Sequence, residues 1–345
     1  MHFQQFLLIF GFSFLLTLAL TFGATKFFPK WGLLDRPARY GLSRAPIPYY
    51  GGLAIFLGFL ISVLVFVRID SAFLSVLVSL SLLMIVSFLD DLFFLPAIFR
   101  LFVQVLAGVI LVAGGIGIHS ITNPFGAAFL LDTVQFSLFG HVIFLWSALF
   151  TVFWIVLFIN SMNFLDGVPG LVSGVSFLAS LTIFFLSIRS GQTVDQTITS
   201  VTSLILAASA LAFFIFDFPK PKILMGDSGS VILGFLIAVL AIFSGGKIAT
   251  AFLVMGFPLL DALFTIIRRL VKKQSPFRGD LGHLHHRFLK AGFSERKTVL
   301  IICLIAAIFG SVSVFLGTQQ KMIALFVLLF IMSGILWIFF KKNSS

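Results

Sequence analysis

Acidic residues are scarce in this chain: twelve Asp and Glu among 345 residues, against twenty-three Lys and Arg. Charged residues of both signs reach only 10% while hydrophobic residues reach 60%, with 47 Phe, which excludes a protein built around a water-soluble core. Cysteine is nearly absent. Cys303 stands alone in an apolar stretch, so an internal disulfide is excluded and nothing follows about redox compartment. No internal repeat, low-complexity tract or Pro/Gly/Ser-rich linker divides the sequence, which leaves one integral membrane unit over residues 1–345.

The first apolar run has no Lys or Arg before it and Lys26, Lys30 and Arg36 after it, the reverse of a signal peptide's charge order. It is expected to remain as a span with its N-terminus outside. Apolar runs of about 17 to 25 residues are long enough to cross a bilayer. Eleven are found, near 3–23, 50–67, 73–89, 98–114, 142–159, 168–188, 197–216, 228–243, 247–267, 298–316 and 321–340. The fold class is therefore an all-α polytopic transmembrane helical bundle with its C-terminus in the cytoplasm. Under that topology nineteen Lys and Arg fall inside, and only Arg68, Arg189, Lys247 and Lys321 outside, in accord with the positive-inside rule.

Topology thus accounts for the net charge of +11. Anionic head groups and anionic cytosolic substrates are the expected partners, and nucleic acid is not. The cytoplasmic loops lie near 24–49, 90–97, 160–167, 217–227 and 268–297; the external stretch 115–140 alternates apolar with small or polar residues and suits a short hairpin or interfacial segment.

Four polar motifs share the cytoplasmic side. Asp90-Asp91 ends the third span, where the helix dipole disfavours carboxylates, so a compensating cation is expected; the pair suits a hard divalent ion, or else a solvated loop. Asn160, Asn163 and Asp166 follow the fifth span, the two amides on one face if the helix continues through them, able to read a base or sugar edge. Asp166 would otherwise simply cap the next helix. Met225-Gly226-Asp227-Ser228-Gly229-Ser230 precedes the eighth span and fits either an ordinary N-cap or an anion site at a helix N-terminus. His283, His285, His286 and Arg287 lie in the last large loop. Zinc is disfavoured because no Cys lies nearby and His283 and His286 alone would share a helix face, so contacts to anionic substrate oxygens fit better. Asp261, inside the ninth span, is expected to support the site or to pair with Arg268 or Arg269.

These motifs, together with Pro46-Ile47-Pro48-Tyr49-Tyr50-Gly51-Gly52-Leu53, occur in an order and spacing that resembles the polyprenyl-phosphate N-acetylhexosamine-1-phosphate transferases, from about Asp35 to Arg287. The His283-Leu284-His285-His286-Arg287 form, after Pro258 and Asp261, looks like the WecA/TagO branch rather than the MraY branch. Two positions depart from the pattern: Leu224 stands where relatives often have Phe, and Ser43 where many have His.

The resemblance implies a multi-pass protein of the inner plasma membrane with its active site facing the cytoplasm. It implies transfer of N-acetylhexosamine 1-phosphate, with N-acetylglucosamine the leading sugar, from a UDP-N-acetylhexosamine to undecaprenyl phosphate, releasing UMP. The product would be the first lipid-linked intermediate of a cell-envelope polysaccharide. Mg2+, or Mn2+ in its place, would be held by Asp227 with Asp91, while Asp90 orients the lipid phosphate or accepts its proton. Asn160, Asn163 and Asp166 would bind nucleotide or sugar, and His283, His285, His286 and Arg287 the pyrophosphate or N-acetyl sugar. Direct attack and a phosphorylated Asp intermediate both stay open, as does a homo-oligomer. The competing readings are a phospho-N-acetylmuramoyl-pentapeptide transferase of the MraY type and, from another class, a secondary transporter, which would place its polar residues at the bilayer midplane. A scaffold subunit would predict no divalent-ion dependence.

Overall fold

Helices dominate because a chain in hydrocarbon must satisfy every backbone N–H and C=O internally. The computed structural model describes residues 2–37, 44–123, 126–138, 141–189, 195–245, 248–271, 273 and 283–342. Among them run α1 (Phe3–Phe27), α2 (Gly52–Phe66), α3 (Ser71–Phe93), α4 (Ala97–Ala113), α5 (Leu145–Leu165), α6 (Leu171–Ser187) and α7 (Thr197–Asp217). There follow α8 (Gly226–Phe243), α9 (Ile248–Val254), α10 (Gly256–Val271), α11 (Leu284–Lys290), α12 (Glu295–Phe315) and α13 (Thr318–Lys342). By length and composition α1, α3, α5, α7, α8, α12 and α13 are apolar enough to cross a membrane, and α2, α4 and α6 are shorter apolar helices.

The ninth expected span differs. It breaks at Met255 into α9 and α10, with Pro258 in the first turn of α10, where its missing N–H leaves no helical bond unmade. Gly256 sits there against Leu328 of α13, in contact too close for a β-carbon. The loop expected at 268–297 is likewise partly helical, since α10 reaches Val271 and α11 carries the histidines. The stretch between α4 and α5 forms two antiparallel strand pairs, β1 (Ser120–Ile121) with β2 (Phe129–Leu130) and β3 (Gln135–Leu138) with β4 (His141–Phe144), where the alternation of the sequence suggested a short hairpin or interfacial segment.

Buried deepest is α8, packed between α3 and α5 and touched by α2 and α6. Its small residues permit this. The α2 N-terminus at Gly52 lies directly on Gly229, and a β-carbon at Gly234 would come within 2.8 Å of the Phe158 carbonyl on α5. The indole of Trp154 on α5 donates to the Ala238 carbonyl of α8 at 3.2 Å.

Polar side chains tie the helix ends together. The buried Asp217, last residue of α7, accepts from the Gly170 N–H at 2.8 Å and the Ser173 hydroxyl at 2.9 Å, capping α6 from outside. The Pro48–Gly52 strip runs beside Leu224 and Met225. Leu224 N–H donates to Pro48 O at 2.9 Å, Gly51 N–H to Leu224 O at 2.9 Å and Gly52 N–H to Met225 O at 2.8 Å. That pairing carries Tyr49 and Tyr50 to the N-terminus of α8.

Candidate active site

Asp90 and Asp91 are adjacent in sequence and face different partners. After α3 the chain reverses through Phe94, in left-handed conformation, and Pro96 starts α4. The reversal turns the Leu95 N–H onto Asp90 Oδ1 at 2.7 Å and brings Arg100, one turn into α4, within 3.0 Å of Asp90 Oδ2. The same Arg100 nitrogen lies 3.1 Å from Asp227 Oδ2 on α8. Arg100 is thus a compensating cation for Asp90 at the C-terminus of α3 and a bridge from it to Asp227.

Asp91 turns instead to the N-terminus of α8. Its carboxylate accepts from the Asp227 N–H at 2.9 Å and the Ser228 N–H at 3.1 Å, and from the Tyr49 hydroxyl at 3.3 Å. Two orphan donors of a helix start are thereby satisfied by a negative charge at the positive end of the dipole. Gly226 makes the approach geometrically accessible. Its φ is +77°, and a β-carbon there would meet Asp91 Oδ2 at 2.8 Å. The anion at this helix N-terminus is thus the protein's own Asp91, while the Asp227 side chain, 37% exposed, faces the cavity.

The fifth helix continues to Leu165, so Asn160 and Asn163 do share a face, and both line the cavity with Asp166. Asn160 donates to Gln104 Oε1 on α4 at 2.6 Å and to the Val156 carbonyl at 2.8 Å; Asn163 donates to the Ser230 hydroxyl at 3.1 Å. Asp166 ends α5. Desolvation, then the charges of Asp217, Asp227 and Asp91, holds its carboxyl well above the usual carboxylate range.

The histidines divide. His283 precedes α11 and is oriented by Asp261, whose Oδ2 lies 3.0 Å from His283 Nδ1 and whose Oδ1 accepts the Leu284 N–H at 2.8 Å. Asp261 therefore supports the site through His283. His283 and His286 line the cavity, but His285 does not. It is wholly buried against Gly167, stacked on His283 with centroids 5.8 Å apart and 4.2 Å from the His286 ring, and neither of its nitrogens has a partner among the described residues. Burial first, then the His286 and His283 charges, drives its pKa well below the usual value and keeps the ring neutral. His285, expected from the sequence to contact substrate, is thus placed away from the cavity: the turn of α11 that aims His283 and His286 at the cavity sends the residue between them into the protein. Arg287 is not among the cavity's lining residues, nor is Leu224, and Ser43 lies outside the described residues.

The cavity itself measures about 530 Å³. Its lining combines polar side chains, among them Asp90, Arg100, Gln104, Asn160, Asn163, Asp166, Asp227, His283, His286 and Arg269, with the apolar Leu83, Val86, Leu101, Phe153, Val156, Leu157 and Ile266 from α3, α4, α5 and α10. A smaller cavity of about 210 Å³, bounded by Asp35, Arg36, Tyr49 and Tyr50, shares Asp90, Arg100 and Asp227 with it. Arg100 and Gln104 are the residues that sequence reasoning passed over. Their signal was present: an Arg and a Gln one turn apart on an otherwise apolar helix.

Among the described residues no three His, Cys, Asp or Glu side chains form a ready cage for a metal ion. The oxygens available nevertheless fit Mg2+, which is held by one or two carboxylates and takes its other ligands from water and substrate phosphates. Asp227 in the cavity, with Asp90 across Arg100 from it, supplies hard oxygen donors of that kind.

The fold and site define a polytopic membrane protein whose charged groups gather at one set of helix ends, above an apolar cavity. The chain belongs to glycosyl transferase family 4, which matches residues 73–245. It is 30% identical over 306 residues, 87% of this chain and 81% of the relative, to a probable undecaprenyl-phosphate N-acetylglucosaminyl 1-phosphate transferase of Bacillus subtilis. A Thermotoga maritima undecaprenyl-phosphate alpha-N-acetylglucosaminyl 1-phosphate transferase is 33% identical over 317 residues, 91% of this chain and 90% of its own. A Mycobacterium tuberculosis decaprenyl-phosphate N-acetylglucosaminephosphotransferase is 31% identical over 316 residues, 82% of this chain and 76% of its own.

Proposed function

We propose that this protein transfers N-acetylglucosamine 1-phosphate from UDP-N-acetylglucosamine to a polyprenyl phosphate, undecaprenyl phosphate by the names of its bacterial relatives. The observation that carries the reading is the joining of an acid and cation cluster to an apolar cavity in one space, which suits an acceptor that is hydrocarbon at one end and phosphate at the other. The polar groups stand at helix ends, where a transporter's midplane site would not place them.

In the reaction an oxygen of the lipid phosphate attacks the sugar-bearing phosphorus of the donor. The bond from that phosphorus to the bridging oxygen breaks, and UMP leaves with the electron pair. A phosphate monoester with its second pKa near 6 is largely ionised at neutral pH, so positioning outweighs proton abstraction. Asp90, fixed by Leu95 N–H and Arg100, orients the acceptor and takes a proton if one remains. Arg100 neutralises phosphate charge as it is drawn from its carboxylates. Asn163 and Asp166 contact the nucleotide or sugar, and His283 and His286, with His283 set by Asp261, contact the pyrophosphate. Asp227 would hold Mg2+, which when bound stabilises charge on the pyrophosphate and on the departing UMP. Asp91 keeps the α8 N-terminus in register for this. The excess of Lys and Arg flanking the site supports a cytoplasmic orientation in the inner membrane, with the N-terminus outside.

The test is UMP release by purified protein with undecaprenyl phosphate and a panel of UDP-sugars, with and without Mg2+. Release that needs both Mg2+ and UDP-N-acetylglucosamine supports the reading. Silence from folded protein across the panel overturns it.

A further inference from the structure

We infer that Gln104 binds the phosphate head of the lipid acceptor, donating from its side-chain NH2 one turn along α4 from Arg100; this rests on the transfer reaction proposed above. Hydrogen-bond chemistry fixes the orientation of the amide. The terminal nitrogen of Asn160 is 2.8 Å from the Val156 carbonyl, which can only accept, so the group facing it is the NH2. That same nitrogen is 2.6 Å from the Gln104 carboxamide, whose facing atom must then be oxygen. What remains of Gln104 is therefore a pair of N–H donors. Among the described residues they donate to none, although Gln104 is only 7% exposed and lines the cavity. These donors open onto the cavity, where a ligand can supply the acceptor they lack among the described residues.

Position selects the ligand. Gln104 follows Arg100 by four positions, so both lie on one face of α4, about 6 Å apart along its axis. Arg100 meets Asp90 and Asp227 near the ends of α3, α4 and α8, and Gln104 lies one turn further into α4, as the lining residues Leu83, Phe153 and Leu157 lie further into α3 and α5. A UDP-sugar is polar throughout and gains nothing from hydrocarbon walls. Only the acceptor changes from phosphate to hydrocarbon across a single ester oxygen. With Arg100 on one side and Gln104 on the other, that phosphate is held with its chain among the apolar residues and its free oxygens toward Asp90 and the donor.

The experiment measures binding of polyprenyl phosphate and of the unphosphorylated polyprenol of equal length to purified protein in detergent, without donor. Wild-type protein should prefer the phosphate by about tenfold or more, a difference of roughly 1.4 kcal/mol. Gln104→Glu, which puts a like charge against the phosphate, should abolish the preference, and Gln104→Leu should reduce it severalfold. Polyprenol binding and UDP-N-acetylglucosamine binding should hold within about twofold in both variants. A preference that survives Gln104→Glu overturns the inference, as does an equal loss of polyprenol binding, which would show a merely structural role. Wild-type UMP release accompanying that survival would leave the transfer reaction standing, whereas no release with any UDP-sugar would remove the transfer reaction itself.

Discussion

Gly226 and Asp91, 135 positions apart, stand so close that a methyl group on the glycine would lie 2.8 Å from the Asp91 carboxylate. The glycine is also in left-handed conformation, at φ +77°. Gly226→Ala is expected to cost about 1–2 kcal/mol from the backbone alone, with the displacement of Asp91 added to it. Thermal unfolding in detergent should show the loss, and Asp91→Ala should lower the midpoint by a comparable amount because it uncaps α8. Asp91→Asn should retain most divalent-ion binding, unlike Asp227→Asn. Equal loss of Mn2+ binding in the two variants would return Asp91 to the metal.

Arg100 is the positive charge at the site where a divalent ion would compete with it, 3.0 Å from Asp90 and 3.1 Å from Asp227. Removing one positive charge this near a doubly charged ion should favour the ion by well over tenfold before solvent screening, which reduces the gain. Arg100→Gln should therefore bind Mn2+ more tightly than wild type, by electron paramagnetic resonance without substrates, while turning over more slowly because the phosphates lose their guanidinium partner. Weaker Mn2+ binding in this variant would show that Arg100 is needed to keep the two carboxylates together.

His285 should register acid in the stability of the protein. Its pKa in the folded state lies well below the ordinary histidine value near 6.5, so the unfolded chain takes up a proton that the folded chain refuses. Its contribution is thus complete at neutral pH and is lost as pH falls below about 6.5, by up to about 1.4 kcal/mol per pH unit. Asp166 acts in the opposite sense, since a raised carboxyl favours the folded state as pH falls toward it. Comparing midpoints between pH 7.5 and 5.0 for wild type and His285→Gln isolates the histidine. A shallower acid loss in the variant is expected, and identical slopes would place the acid sensitivity elsewhere.

Gly167 gives His285 its place, and a β-carbon there would collide with the imidazole Nε2. Gly167→Ala should therefore lower both stability and turnover, because the turn carrying Asp166 and the helix carrying His283 and His286 are forced apart. A paired Gly167→Ala/His285→Ala variant should regain part of the stability lost. No regain would show that the contact does not transmit the damage.

The helical bundle and most of its spans were legible in the sequence because hydropathy is a local property: a run of apolar residues needs no knowledge of its neighbours to favour a helix in lipid. The polar motifs were legible for a related reason, since a carboxylate beside a long apolar run stands out wherever the chain later goes. The break at Met255 was hidden, because Pro258 alone does not divide an apolar run and the close contact of Gly256 with Leu328 exists only after α13 packs. The pairing of charges was hidden as well. Asp90 and Asp91 are equivalent as sequence, and only the reversal at Phe94 and the position of α8 give one to Arg100 and the other to the helix N-terminus. His285 reads as one of three equal histidines until α11 turns it toward Gly167. The sequence by itself determined the solvent, the helices and the chemistry available at their ends. Tertiary structure alone decided which donor meets which acceptor, because hydrogen bonds and ion pairs act over a few ångströms and residues up to 192 positions apart reach that distance only when the helices have packed.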